Sequence, residues 1–130
     1  MARFGLLDEE GHPRVLPVTF AVADDRIWSA VDEKPKRASK QELARVRFLR
    51  RDPRAAITVD RYSDDWEELA WVQVLGTVRI INAEEAGAGL ASLVAKYEPY
   101  RESPPPGPVL ALDPTRCLCW RASPDSPSGR

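Results

Sequence analysis

Apolar and polar positions trade places in short runs along the first third of the chain. Phe4, Leu6 and Leu7 make a brief apolar run, and Asp8-Glu9-Glu10-Gly11-His12-Pro13 is turn chemistry. Residues 15–22 are a longer run rich in β-branched side chains, Asp24-Asp25 is a second turn, and Ile27-Trp28-Ser29-Ala30-Val31 closes the series. The pattern predicts three antiparallel strands joined by hairpins, with no room for a crossover helix between them.

The pattern changes at Lys34-Pro35-Lys36-Arg37, where Pro35 interrupts any strand. Ser39-Lys40-Gln41-Glu42 has capping-box spacing, with Ser39 as N-cap, and predicts a helix. Leu43, Val46 and Leu49 then supply a narrow apolar stripe among Arg45, Arg47, Arg50 and Arg51, until Asp52-Pro53 stops it. Strands are predicted over 55–62 and 69–82, separated by the polar loop Ser63-Asp64-Asp65. Gly76 inside the second of these suggests a bulge or a close backbone approach. A second helix is expected over 83–97 on the spacing of Leu90, Leu93 and Val94, weakened by Gly87 and Gly89. Residues 103–108 are too proline-rich for regular structure, a last strand is expected over 116–121, and a disordered tail from Ser123. Six strands and two helices, with the strands mostly sequential, predict one mainly β (α+β) domain over 1–122: a small antiparallel barrel with helices packed outside it.

Composition narrows the class. The chain has 130 residues, 43% hydrophobic and 30% charged, with a formal charge of -1. That balance is globular, with neither the basic excess of a nucleic-acid-coating protein nor the low hydrophobicity of a disordered one. No apolar run approaches the roughly 20 residues that span a bilayer, and Met1-Ala2-Arg3-Phe4-Gly5 lacks signal-peptide character, so no membrane partner and a cytoplasmic location are expected.

Candidate chemistry is sparse. The one histidine, His12, lies in a turn, and no serine stands in a nucleophile-elbow context. Neither a Walker loop nor a dinucleotide fingerprint is present, so redox work would need a borrowed cofactor. Cys117 and Cys119 share one face of the last expected strand and read as reduced packing thiols; a metal site would need further ligands. The basic group Lys34, Lys36, Arg37 and Lys40 before a capped helix is either an anion site of the phosphate kind or a solvated turn. Trp66, Trp71 and Trp120 suit the wall of a planar-ring pocket, a dimer seam or plain packing.

Four blocks carry a resemblance. They are residues 6–20 (Leu6-Leu7-Asp8-Glu9-Glu10-Gly11-His12-Pro13-Arg14-Val15-Leu16-Pro17-Val18-Thr19-Phe20), 31–36 (Val31-Asp32-Glu33-Lys34-Pro35-Lys36), 50–55 (Arg50-Arg51-Asp52-Pro53-Arg54-Ala55) and 59–66 (Val59-Asp60-Arg61-Tyr62-Ser63-Asp64-Asp65-Trp66). Together they resemble the actinobacterial F420-dependent branch of the pyridoxamine-5'-phosphate-oxidase-like superfamily, from about Leu6 to Gly76 and weakly again at the last strand. The resemblance implies a six-stranded FMN-binding-type split barrel, a homodimer with two cofactor sites at its interface, and a deazaflavin, F420, with FMN as the alternative. It places the anionic tail over Lys34, Pro35, Lys36 and Arg37, with Arg47 as a further contact. The ring would lie near Val59, Asp60 and Trp66, with Thr19 or Trp71 as neighbours. It further implies hydride transfer to an unsaturated small molecule, or a non-catalytic cofactor carrier. Two departures stand out: the apolar helix usual before the first strand is absent, and Phe48 stands where relatives tend to carry asparagine.

Overall fold

Seven antiparallel strands form one sheet in the computed structural model, which describes residues 1–31 and 43–122. They are β1 (Ala2–Leu7), β2 (Pro13–Val18), β3 (Ala21–Ala23), β4 (Arg26–Ala30), β5 (Arg54–Arg61), β6 (Ala70–Ile81) and β7 (Val109–Arg121). The spatial order is β2-β1-β5-β6-β7-β4-β3. Six strands were expected; the seventh arises because the run 15–22 breaks at Thr19-Phe20 into β2 and β3. β7 also starts at Val109 and not near Arg116, so it is long enough to serve two neighbours.

The break explains the barrel. β2 and β3 are the two edges of the sheet, yet only Thr19 and Phe20 separate them in the chain. Three residue steps reach at most about 11 Å. Seven strands laid flat at about 4.8 Å spacing would hold those edges about 29 Å apart. The sheet must therefore curl until its edges meet, with no ladder between β2 and β3 among the described residues. The result is a barrel with one open seam.

That seam is stapled by helices. The second helix expected over 83–97 is divided: a 3-10 turn at Ala83–Glu85, then Gly87 at φ +54°, then α2 (Ala88–Lys96). The positive φ suits glycine and turns the chain into α2. Gly89 has a different duty, since a Cβ there would overlap the indole of Trp28, and its absence lets α2 lie directly on β4. A short α3 (Glu98–Glu102), not expected from the pattern, follows. From these helices Tyr100 Oη shares a 2.9 Å hydrogen bond with Thr19 Oγ1, and the Phe20 N–H donates to Tyr97 Oη at 3.0 Å. Tyr97 O–H and Lys96 Nζ both donate to the Phe20 carbonyl, and the Lys96 ammonium sits 3.4 Å from the Phe20 ring centroid.

The hairpins follow their turn residues. Asp24 and Asp25 both adopt positive φ in the two-residue β3–β4 turn, the combination that matches strand twist. Asp8 Oδ1 accepts from the backbone N–H groups of Glu10 and His12, closing the β1–β2 turn. These bonds, the His12 N–H foremost, hold the Asp8 carboxyl below its ordinary range. Gly76 marks a register shift against β7, and a Cβ there would overlap the Asp113 carbonyl, so it serves both as bulge and as close approach. Beside it Arg79 and Arg26 flank the Asp113 carboxylate and hold its pKa down, Arg79 most strongly.

Two apolar clusters result. The barrel interior holds Phe4, Leu6, Val18, Ile57, Val78, Leu110 and Leu112, closed at one end by Val46, Phe48 and Leu49 of α1 (Ala44–Arg51). The second cluster lies between the sheet and α2–α3, with Trp28, Leu93, Tyr100, Val109 and Ala111. The first helix is thus observed, but Leu43 occupies its N-cap position without a side-chain cap; the Ser39 capping box falls outside the described residues.

Candidate functional site

The face of β1, β5, β6 and the far half of β7 that points away from the barrel is covered by no described element. Strand register lays it out in rows. One row runs Pro17, Arg3, Thr58, Gln73, Leu118; the next runs Asp60, Trp71, Trp120; a third runs Val15, Gly5, Ala56, Leu75. Alternation sends Phe4, Ile57 and Val74 to the core and these rows to the other side. Val15 is 69% exposed, an unusual state for a valine inside a sheet.

Two contiguous clefts lie at one end of this face. The first, of about 680 Å³, is lined by Val59, Asp60 and Arg61 of β5, Glu67 and Glu68 of a 3-10 turn (Trp66–Glu68), and Trp71 and Arg121. The second, of about 560 Å³, is lined by Arg3, Thr58, Asp60, Trp71 and Gln73. Asp60 and Trp71 belong to both, so they form the shared wall. Gln73 Nε2 donates to Thr58 Oγ1 at 3.1 Å, which fixes the amide on the floor of the second cleft. Trp71 is half-buried against its cross-strand partner Trp120, whose indole N–H is buried without a partner.

The residues singled out from sequence are therefore divided. Val59, Asp60 and Trp71 come together at the clefts, although the Val59 side chain packs toward the barrel core. Trp66 sits in the adjoining 3-10 turn, 74% exposed, and does not line either cleft. Thr19 is at the barrel seam, bonded to Tyr100. Arg47 lies on α1, where it and Arg14 stand 5.9 and 5.7 Å from the Phe48 ring centroid, and where it faces Glu9 at 3.6 Å. Phe48 thus offers an aromatic seat to two guanidinium groups. Lys34, Pro35, Lys36 and Arg37 lie outside the described residues, as does the tail 123–130.

Sequence reading missed Arg3, Thr58 and Gln73. Thr58 and Gln73 sit in predicted strands and Arg3 just before one, and the available signal was the polar half of the alternation, Thr58 and Asp60 on one strand and Trp71 and Gln73 on the next. Only register brings Thr58 and Gln73 onto one row with Arg3 and sets Asp60 and Trp71 on the row beside it. The cysteines require a correction. Expected as packing thiols, Cys117 and Cys119 are both exposed, because β7 runs beyond the residues that pair with β4 and leaves the barrel behind. Among the described residues no group of three or more His, Cys, Asp or Glu could hold a metal, and no helix is long and apolar enough to cross a membrane.

With this geometry in view, the chain can be placed among known proteins. Residues 1–121 match the pyridoxamine 5'-phosphate oxidase family model, and the chain belongs to that family. Among solved structures it is similar to a heme binding protein from Mycobacterium smegmatis, with a TM-score of 0.74 and 20% identity. That match covers 95% of this chain and 49% of the other, so the chain spans about half that relative's length. It is also similar to an FAD-binding protein from Mesorhizobium loti (TM-score 0.64, 16% identity, 94% of this chain and 86% of that one). A third is a Clostridium acetobutylicum protein related to general stress protein 26 of B. subtilis, of the pyridoxinephosphate oxidase family (TM-score 0.62, 16% identity, 92% and 78%). At these identities the likeness is one of fold. Comparison with curated proteins gives no match.

Proposed function

We propose that this chain is an oxidoreductase that binds F420 and passes its hydride to an unsaturated small molecule, working as a homodimer. The observation that carries the reading is the pair of clefts walled by Asp60 and Trp71 on a sheet face the chain leaves bare. The half-buried Trp71 indole on the shared wall suits a flat heterocycle, and the fixed Thr58–Gln73 pair in the second cleft suits a polar substrate beside it. The ring belongs in the first cleft and the substrate in the second. The anionic tail is assigned to Lys34, Pro35, Lys36 and Arg37 with Arg47. When bound, such a cofactor supplies the hydride; the chain's part is to orient both reactants and exclude water, which in favourable cases lowers a barrier by on the order of 7–11 kcal/mol. No described side chain is required as a nucleophile.

The bare face supplies the dimer surface. Val15, Leu7, Leu75 and Ala56 line a groove of about 580 Å³ beside the clefts, and an apolar patch of this kind on a small protein marks an interface. Docking of a second copy there would roof the clefts. A second reading, FMN or FAD in the same place, is favoured by the similarity to the FAD-binding protein.

The test is titration of the purified protein with F420 and with FMN, alongside its mass in solution. F420 bound more tightly than FMN by a dimer is the expected result, and Trp71→Ala lowers that affinity at least tenfold. Tighter FMN binding selects the second reading. A monomer that takes up neither ring overturns both.

A further inference from the structure

We infer that the second cleft receives a planar, conjugated substrate bearing one carboxylate, with Arg3 as the residue that selects for the charge. This deepens the proposed function and rests on its assignment of the second cleft to substrate. Among the described residues the cleft is lined by Arg3, Thr58, Asp60, Trp71 and Gln73, and Arg3 is the cation in that set. Its guanidinium has, among the described residues, no ion pair or side-chain hydrogen bond, unlike Arg14 with Asp8, Arg47 with Glu9 and Arg54 with Asp52; Arg61 and Arg121, which are also without an ion pair, line the first cleft and not this one. An arginine left without a partner next to a half-buried tryptophan is a ready receptor for a flat anion, bidentate at the charge and stacked at the body.

Asp60 decides which anion. It lines the same cleft, is likewise without an ion pair, and stands diagonal to Arg3, which pairs with Thr58, two residues before it. A phosphate dianion would meet one cation and one opposed carboxylate, a poor balance. A monoanionic carboxylate can be held by Arg3 while the far end of the ligand, carrying a hydroxyl or amine donor, turns toward Asp60. The Thr58–Gln73 pair between them offers neutral hydrogen-bonding groups and no net charge. The cleft thus reads a polarity along the ligand: acceptor at Arg3, donor at Asp60.

The experiment is calorimetric titration of the full chain, alone and with FMN added, with 2-naphthoate, 2-naphthamide and 2-naphthyl phosphate. These share one flat body and differ in charge. Naphthoate is expected to bind at least tenfold more tightly than the amide and more tightly than the phosphate. Arg3→Gln, an exposed position on the outward face, should bring the naphthoate-to-amide ratio to near one, and Arg3→Lys should restore part of it. FMN affinity should stay within twofold in both variants. Equal binding of naphthoate and amide by the unaltered chain, preference for the phosphate, or a preference that survives Arg3→Gln overturns the inference. Loss of FMN affinity in Arg3→Gln also overturns it, because Arg3 would then hold cofactor. If the unaltered chain binds neither FMN nor F420 yet prefers naphthoate through Arg3, the cofactor reading fails while the anion site stands.

Discussion

The same sheet is treated in two ways by the chain that makes it. Under α2 and α3, the strands β3, β4 and the first half of β7 are sealed: Trp28 is 3% exposed, Leu93 fully buried, and the Thr19-Phe20 seam is tied by Tyr97, Tyr100 and Lys96. On β2, β1, β5, β6 and the far half of β7 the outward face carries Val15, Leu75, Trp71 and Leu118 with nothing of the described chain above them. The sealed side has its seam tied by hydrogen bonds and Gly89 set for contact with Trp28, although the Ser29 hydroxyl of β4 is buried without a partner among the described residues. The bare side keeps Arg3, Arg61, Arg121 and Asp60 without ion pairs among the described residues, and the buried Trp120 indole N–H without an acceptor. A protein that could complete one side and left the other incomplete is organised around what comes to the second side.

The comparison can be broken at the sealed side first. Gly89→Ala drives a methyl group into the Trp28 indole, and the overpacking outweighs the gain in helix propensity. A loss of about 2 kcal/mol in unfolding free energy is expected from urea denaturation, with a changed near-ultraviolet tryptophan spectrum. An unchanged midpoint would show that α2 does not bear on Trp28 as described. Tyr100→Phe removes the hydroxyl shared with Thr19 at the seam, which should cost about 1 kcal/mol in the same measurement. The effect should shrink when Thr19 has already been replaced by valine, since the two hydroxyls share that bond.

The smallest effect lies at the rim of the bare side. The Arg54 side chain, then its backbone N–H, lowers the Asp52 carboxyl from 3.8 to about 2. A carboxyl depressed in the folded state adds stability that is present above about pH 4 and lost as pH falls toward 2. Both side chains reach water, Arg54 72% exposed, so the contribution is slight. Asp52→Asn should lower the melting temperature slightly at pH 7, where the carboxylate is charged, and flatten its fall between pH 4 and pH 2, so that variant and parent converge toward pH 2. An equally steep fall in the variant would assign the acid sensitivity to other carboxyls.

Much of the fold was legible because strands and turns write themselves locally. Alternating runs marked the hairpins, Asp24-Asp25 marked the tight turn, and Gly76 marked the bulge. The seventh strand was not legible: Thr19 and Phe20 are as β-prone as their neighbours, and the chain breaks there only because β2 and β3 belong to opposite edges of a closing sheet. The second helix was overextended for a related reason. Gly87 reads as a weak helical residue but is the left-handed turn that starts α2, and Gly89 reads as weak but answers to a tryptophan sixty-one positions earlier.

By itself, then, the order of residues determined most of the local conformations and the antiparallel class, since each depends on side chains within a few positions of one another. Only the tertiary structure decided which strand edges meet, that Cys117 and Cys119 lie beyond the core, and that Arg3 joins Thr58, Asp60, Trp71 and Gln73. Those outcomes depend on register between strands, in the case of Arg3 and Thr58 between residues far apart in the chain, and a shift of one residue in that register would have turned these side chains to the opposite face.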